Sequence, residues 1–223
     1  MSYTSIVRKS QYTNIMAQRS STGIGGSTDI ANESQTNSIN HMMNNSYTYN
    51  YNPKYRVTRL PNPPSFLHHG ALKFVIMDAP TDDNLATYIK ELAQRRVHCI
   101  VRTCEPTYSE ETLSDKKINM YVKDLPFPDG HPPSDDIITQ WLEIVQNEIC
   151  RENRPVAVHC VAGLGRAPVL VAIALIEISG IDPIKAISLI RSVRRGAINQ
   201  KQYQYLKNYV RKAKHECGAC TIL

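Results

Sequence analysis

The alternation of apolar and polar positions divides this chain of 223 residues into two unlike parts. From Met1 to about Asn52, Ser, Thr, Asn and Tyr dominate and no apolar period is sustained. That composition predicts a disordered extension with nothing to bury. Within it, Tyr47-Thr48-Tyr49-Asn50-Tyr51 alternates but is polar and short, which suits a tether or a local phosphorylation target. From Tyr55 the character changes. Lys73–Met77, Val97–Val101, Asn119–Val122 and Val156–His159 read as strands. A helix capped by Asp82 or Asp83 is expected through Leu85, Tyr88, Ile89 and Leu92. Another, opened by Ser134 or Asp135, is expected through Ile137, Trp141, Ile144, Val145 and Ile149. After the last strand come three more. The first has Pro168 in its opening turn and ends at Gly180, the second starts at Asp182-Pro183, and the third covers Lys201 to Lys214.

Strands alternating with helices predict an α/β fold, a single domain with a mostly parallel central sheet flanked by helices. Such sheets place ligands at the carboxyl ends of their strands. The expected organisation is an extension over 1–54, a folded domain over 55–215 and a tail over 216–223.

Charge narrows the choice of partner. The net charge of +6 favours anionic partners. No zinc-finger spacing and no aromatic RNP-type strand is present, so nucleic acid is not expected and the charge is assigned to phosphate and membrane surfaces. No apolar h-region opens the chain and no run is long enough to cross a bilayer, which predicts a cytosolic protein whose six cysteines are not a disulfide framework. None of the seven histidines forms a metal-ligand spacing, so neither metal nor cofactor is expected.

The most informative segment is Val156-Ala157-Val158-His159-Cys160-Val161-Ala162-Gly163-Leu164-Gly165-Arg166-Ala167-Pro168. It reads as a buried strand, a Gly-containing loop and a helix start. Successive amides in such a loop can ring a phosphate, and the helix points its positive end at the same spot. Arg166 adds a fork that can hold two phosphate oxygens. The same field is expected to lower the pKa of Cys160, giving a nucleophilic thiolate near neutral pH. A lone Cys after an apolar strand is otherwise a buried, inert thiol. A nucleotide loop is excluded, because no Lys-Ser/Thr follows the last Gly and no G-x-G-x-x-G occurs.

A leaving-group oxygen needs a proton donor. Asp129, in Leu125-Pro126-Phe127-Pro128-Asp129-Gly130-His131-Pro132-Pro133, is the candidate general acid, with a plain turn residue before Gly as the alternative. His159 is expected to orient the loop. Cys104 follows the Val97–Val101 strand as Cys160 follows Val156–His159; if those strands are neighbours, both thiols meet at one sheet edge.

The loop His159-Cys160-Val161-Ala162-Gly163-Leu164-Gly165-Arg166-Ala167-Pro168 resembles that of the Cys-x5-Arg protein tyrosine phosphatases, and in detail the PRL subgroup (phosphatases of regenerating liver, type IVA). Arg195-Gly196-Ala197-Ile198-Asn199, Pro126-Phe127-Pro128-Asp129-Gly130 and the C-terminus match as well. The resemblance covers about Tyr55 to the end. It implies a tyrosine-phosphatase-like domain acting through a phosphocysteine. Cys160 is then the nucleophile, and Arg166 with the amides of Val161, Ala162, Gly163, Leu164 and Gly165 binds phosphate. Asp129 is the general acid and base. Family members commonly carry Trp where Leu125 stands, often a second acid where Pro128 stands, and Ser or Thr where Ala167 stands. That hydroxyl can donate to the departing thiolate, so Ala167 implies slow turnover. Gln202 matches the glutamine that places water, a helix-surface amide being the alternative. Cys104 matches the cysteine that forms a reversible disulfide with the nucleophile.

The C-terminus, Cys220-Thr221-Ile222-Leu223, is a prenylation signal, and the final Leu leans towards geranylgeranyl. One lipid anchors weakly, so a second signal is expected from Arg211, Lys212 and Lys214 against anionic lipid, or from acylation of Cys217. This places the protein on the cytoplasmic face of plasma membrane and endosomes, or in cytosol or nucleus if unprenylated. Phosphotyrosine proteins are the implied substrates. The resemblance also implies a competing role, as a binding module that regulates CNNM (cyclin M) magnesium-transport proteins, and a possible homo-oligomer.

Overall fold

The computed structural model describes residues 60–113 and 118–212. Ten elements follow one another in order. They are β1 (Ser65–His69), β2 (Leu72–Met77), α1 (Leu85–Gln94), β3 (Cys99–Arg102), β4 (Tyr121–Asp124), α2 (Asp135–Val145), β5 (Val156–His159), α3 (Arg166–Ser179), α4 (Pro183–Val193) and α5 (Gln200–Lys207). The sheet order is β1-β2-β5-β3-β4, antiparallel at β1–β2 and parallel elsewhere. This is the expected α/β architecture.

β5 occupies the centre, and all four of its residues are buried. It pairs with β2 on one side and β3 on the other, Val158 lying opposite both Ile76 and Val101. A strand covered on both faces reads as a continuous apolar run, which explains Val156-Ala157-Val158. α3 is the other buried element. Every residue from Arg166 to Ile178 is buried, so its hydrophobicity runs all round rather than along one stripe. Gly180 closes it in the left-handed region at φ 66°. No helix among the described residues is long and apolar enough to cross a membrane.

Several boundaries differ from the sequence expectation, each for a local reason. The residue before α1 is Asn84, whose side chain makes no capping bond to the helix, and the Asp82 carboxylate accepts instead from the backbone N–H of Ser109. β3 begins at Cys99 and β4 at Tyr121, where Asn119 with φ 50° turns the chain into the strand. β1 was not expected: its five residues form the antiparallel edge, a short strand with only Leu67 fully buried. α2 is opened by Ser134, as expected, and passes into a π-helical turn, Gln146–Arg151, before Pro155. α5 ends at Lys207 instead of Lys214, and Tyr209, Arg211 and Lys212 then clasp Glu177 near the end of α3. The residues expected to form the extension and tail, 1–54 and 216–223, lie outside the described residues.

Candidate active site

The loop between β5 and α3 is built by placing its carbonyls. His159 Nδ1 bonds Cys160 O at 3.3 Å, and Ala79 N–H donates to Val161 O at 2.9 Å. Arg194 donates from Nη2 to Ala162 O at 3.1 Å and from Nε to Gly163 O at 3.3 Å. Ile198 N–H donates to Leu164 O at 2.7 Å, and Val169 N–H to Gly165 O at 3.1 Å. Every carbonyl from Cys160 to Gly165 is thus held by the surrounding fold. In a trans peptide the next residue's N–H points the opposite way. The N–H groups of Val161 through Arg166 are therefore turned away from those partners, towards the inside of the loop. This is an anion nest at a helix N-terminus.

Cys160 and Arg166 sit at the two ends of this cup, both buried. Arg166 Nη1 is fixed by Thr103 O at 3.0 Å and Phe127 O at 3.2 Å. Its Nε is buried and makes no hydrogen bond, although the Asp129 carboxylate lies 3.4 Å away. One edge of the guanidinium is thus tied down and the other left for an oxyanion. Asp129 itself is 80% exposed. Its loop is docked by Leu125 and Phe127, both buried in the core, and by Leu125 N–H bonding Arg102 O at 2.8 Å. Gly130, with φ 70°, makes the turn that follows the acid.

Gln202 is not a helix-surface amide. It is buried, and its side-chain oxygen completes a capping box with Asn199 at the start of α5. Its Nε2 has no partner and points at Gly165, where a methyl group would lie 3.0 Å from it. Ala167 is wholly buried beneath the cup.

β3 and β5 are neighbours, with Arg102 opposite His159, so Thr103 and Cys104 emerge beside Cys160 at the same edge. Cys104 and Cys160 are both buried free thiols. Burial pushes the Cys104 pKa up, Arg166 pulls it down and Cys160 pushes it up, which places all three within electrostatic reach. Cys99 is buried and its thiol is pushed up to about 12 by desolvation. Cys150 is half-buried. Cys217, Cys220 and Lys214 lie outside the described residues. Arg211 and Lys212 are exposed; the first donates to Glu177 O at 2.8 Å and the second pairs with Asp135.

His159 is completely buried, and desolvation lowers its pKa to about 4, so it is neutral. Its Nδ1 faces a carbonyl, which can only accept, and so carries the proton. Nε2 then accepts from Tyr108 O–H at 3.0 Å. Tyr108 also lies against Arg102, which pairs with Asp124 and Glu110. Sequence reasoning missed Arg194, Arg102, Thr103 and Tyr108. Arg194 stands directly before the Arg195–Asn199 segment and is the one buried cation of α4's C-terminal end; nothing in hydrophobic periodicity marks it. Ile198 carries a visible cost of its task, a β-branched residue at φ 64° whose N–H is needed by Leu164 O.

A family described as "Tc-R-P: Polymorphic toxin system, DSP-PTPase phosphatase" matches residues 75–180. The type IVA A protein tyrosine phosphatase of Dictyostelium discoideum is 50% identical over 159 residues, covering 71% of this chain and 94% of that protein. The human type IVA 3 protein tyrosine phosphatase is 48% identical over 139 residues, covering 62% of this chain and 79% of that one. Among solved structures, a protein tyrosine phosphatase from Leishmania major superposes with a TM-score of 0.59 at 39% identity, over 68% of this chain and all of that one. Fold and likeness together define a protein tyrosine phosphatase. Within that class, the chain belongs to the PRL, or type IVA, family.

Proposed function

We propose that this phosphatase works through a phosphocysteine at Cys160. The observation that carries the reading is the cup just described: six consecutive carbonyls held outwards, six amides turned in, and a half-tethered guanidinium at the rim. Such preorganised donors stabilise an anionic transition state without reorganising. The Cys160 thiolate attacks phosphorus and forms an S–P bond. The bond to the tyrosyl oxygen breaks, and Asp129 gives that oxygen its proton. Water then attacks the phosphocysteine, Asp129 takes its proton back, and inorganic phosphate and thiolate are released. Arg166 holds the equatorial oxygens through both steps. Asp129 lies by Arg166 Nε, so a phosphate held on the guanidinium has the carboxyl beside its leaving group. Gln202 Nε2, unpartnered beside Gly165, is placed to hold the attacking water.

The second step is slow because Ala167 offers no hydroxyl to the departing thiolate. Cys104 and Cys160 form the redox pair: two thiols and one peroxide give a disulfide and two waters. Lipid on Cys220 recruits the chain to membranes. Trapping settles the reading. An artificial aryl phosphate should leave phosphate on residue 160 of the wild-type chain and none on Cys160→Ser. No trapped phosphate on the wild type rejects the covalent route.

A further inference from the structure

The four parallel strands end in one row. Met77, His159, Arg102 and Asp124 lie opposite one another across β2, β5, β3 and β4. The loops that leave this row carry the chemistry. Cys160 follows His159, Cys104 stands two residues after Arg102, and Asp129 stands five residues after Asp124.

Arg102 holds the end of the row from which the acid loop departs. Its backbone carbonyl accepts from Leu125 N–H at 2.8 Å. Its guanidinium meets the Asp124 carboxylate at both oxygens, Nε to Oδ1 at 2.5 Å and Nη2 to Oδ2 at 2.8 Å. Consecutive residues at the root of the acid loop are thus fastened to one arginine, the first through its side chain and the next through its backbone. Nη2 also donates to Glu110 Oε1 at 2.5 Å, and the guanidinium carbon lies 5.3 Å from the centre of the Tyr108 ring. Nη1 is buried and makes no hydrogen bond, so Nε and Nη2 alone fix the fork.

Stability does not account for this clamp. Arg102 is 2% exposed, whereas Asp124 and Glu110 are each 49% exposed. Burying the guanidinium costs desolvation, and a buried ion pair is often no more stabilising than apolar side chains of the same volume. What a bidentate pair adds is geometry, because a planar fork meeting a carboxylate at two points fixes direction as well as distance. Asp129 needs such an anchor. It is 80% exposed, so little packing holds its carboxyl and the roots of its loop set its place.

We propose that Arg102 is a positioning residue for proton transfer: by clamping Asp124 and Leu125 it sets where Asp129 meets the leaving oxygen. It touches no reacting atom. The proposal rests on the reading of Asp129 as general acid.

Two substrates separate proton transfer from phosphate binding. Phenyl phosphate expels a phenol with a pKa of about 10, as phosphotyrosine does, and depends on the acid. Para-nitrophenyl phosphate expels a far more acidic phenol and depends on it little. kcat/KM reports the step that forms the S–P bond, whatever the speed of the second step. The ratio of kcat/KM, para-nitrophenyl over phenyl, is measured for the full chain and for Asp129→Asn, Arg102→Lys and Asp124→Asn, with each melting temperature. Asp129→Asn should raise the ratio about 100-fold or more. Arg102→Lys keeps the charge but offers one nitrogen to two oxygens, and should raise it about 10- to 100-fold, the cost of moving a reacting group by about an ångström. Asp124→Asn puts an N–H where the clamp needs an acceptor, and should raise the ratio at least several-fold. Its site is half exposed, so this variant decides the matter if Arg102→Lys does not fold. An Asp124→Asn ratio equal to that of the wild type, beside a raised ratio for Asp129→Asn, overturns the inference and leaves the pair a strut of the fold. If Asp129→Asn does not raise the ratio, the general-acid reading falls and this inference with it.

Discussion

Arg194 occupies the space a side chain at Gly163 would need. A methyl group at residue 163 would lie 2.7 Å from Arg194 Nη2 and 2.3 Å from Met77 O, and Gly163 also has φ 66°. Both the contact and the backbone angle exclude other residues. Gly163→Ala should cost about 2–4 kcal/mol from overpacking plus left-handed strain, and should largely abolish activity. Urea unfolding and turnover of para-nitrophenyl phosphate measure the two effects; wild-type values in both would show that the loop tolerates the methyl.

Arg194 never meets the phosphate on this account, yet it sets two of the cup's carbonyls and anchors Pro63. Arg194→Lys keeps the charge but cannot span three carbonyls from one point. Its turnover should fall about 10- to 100-fold, as expected when reacting groups shift by about an ångström. The affinity for inorganic vanadate should weaken in parallel. A lysine variant with unchanged vanadate affinity would mean the cup holds its shape without the fork.

Ala167→Ser restores the hydroxyl. Turnover should rise several-fold while the phosphocysteine formed at steady state falls, both read from one rapid-quench series. The site is wholly buried, so the variant's melting temperature is measured alongside. An equal or lower rate from a stable variant would locate the slow step elsewhere.

His159 links acidity to stability. Its pKa is about 4 in the fold against 6.5 ordinarily, so below pH 6.5 the unfolded chain takes up a proton that the folded chain refuses. Stability therefore falls as pH drops from 6.5 to 4, by roughly 3 kcal/mol from this residue. Urea midpoints through that window should show the decline, and His159→Gln should flatten it. An equally steep decline in the variant would assign the effect to other groups.

Oxidation should choose its partner. Mild peroxide followed by peptide mapping is expected to join Cys104 to Cys160 and leave the buried Cys99 reduced. Reductant should then restore activity. In Cys104→Ser, the same peroxide dose should inactivate irreversibly, since no neighbouring thiol remains to trap the oxidised sulfur.

Most of the fold was legible because its strongest signals are local. The run Val156–Val158, Pro168 in a first turn, Gly180 after a periodic segment and the Asp182-Pro183 start each carry their own physical cause. β1 was hidden because an edge strand of five residues, half polar, has little pattern to show. The end of α5 was missed because Lys201–Lys214 keeps helix-forming residues while Glu177 captures its last part as irregular chain. The loop around Cys160 could be read from spacing, but its supports could not. Arg194, Tyr108 and Thr103 reach it from 31 to 63 positions away, and only the register of β3 against β5 and the approach of α4 bring them there.

One buried rod, α3, begins with Arg166 in the cup and nears its end at Glu177, where Tyr209, Arg211 and Lys212 are clasped. At about 1.5 Å per residue the two lie on the order of 17 Å apart with no joint between them. Whatever pulls on the chain just past Lys212 thus grips the far end of the same beam that carries the phosphate fork.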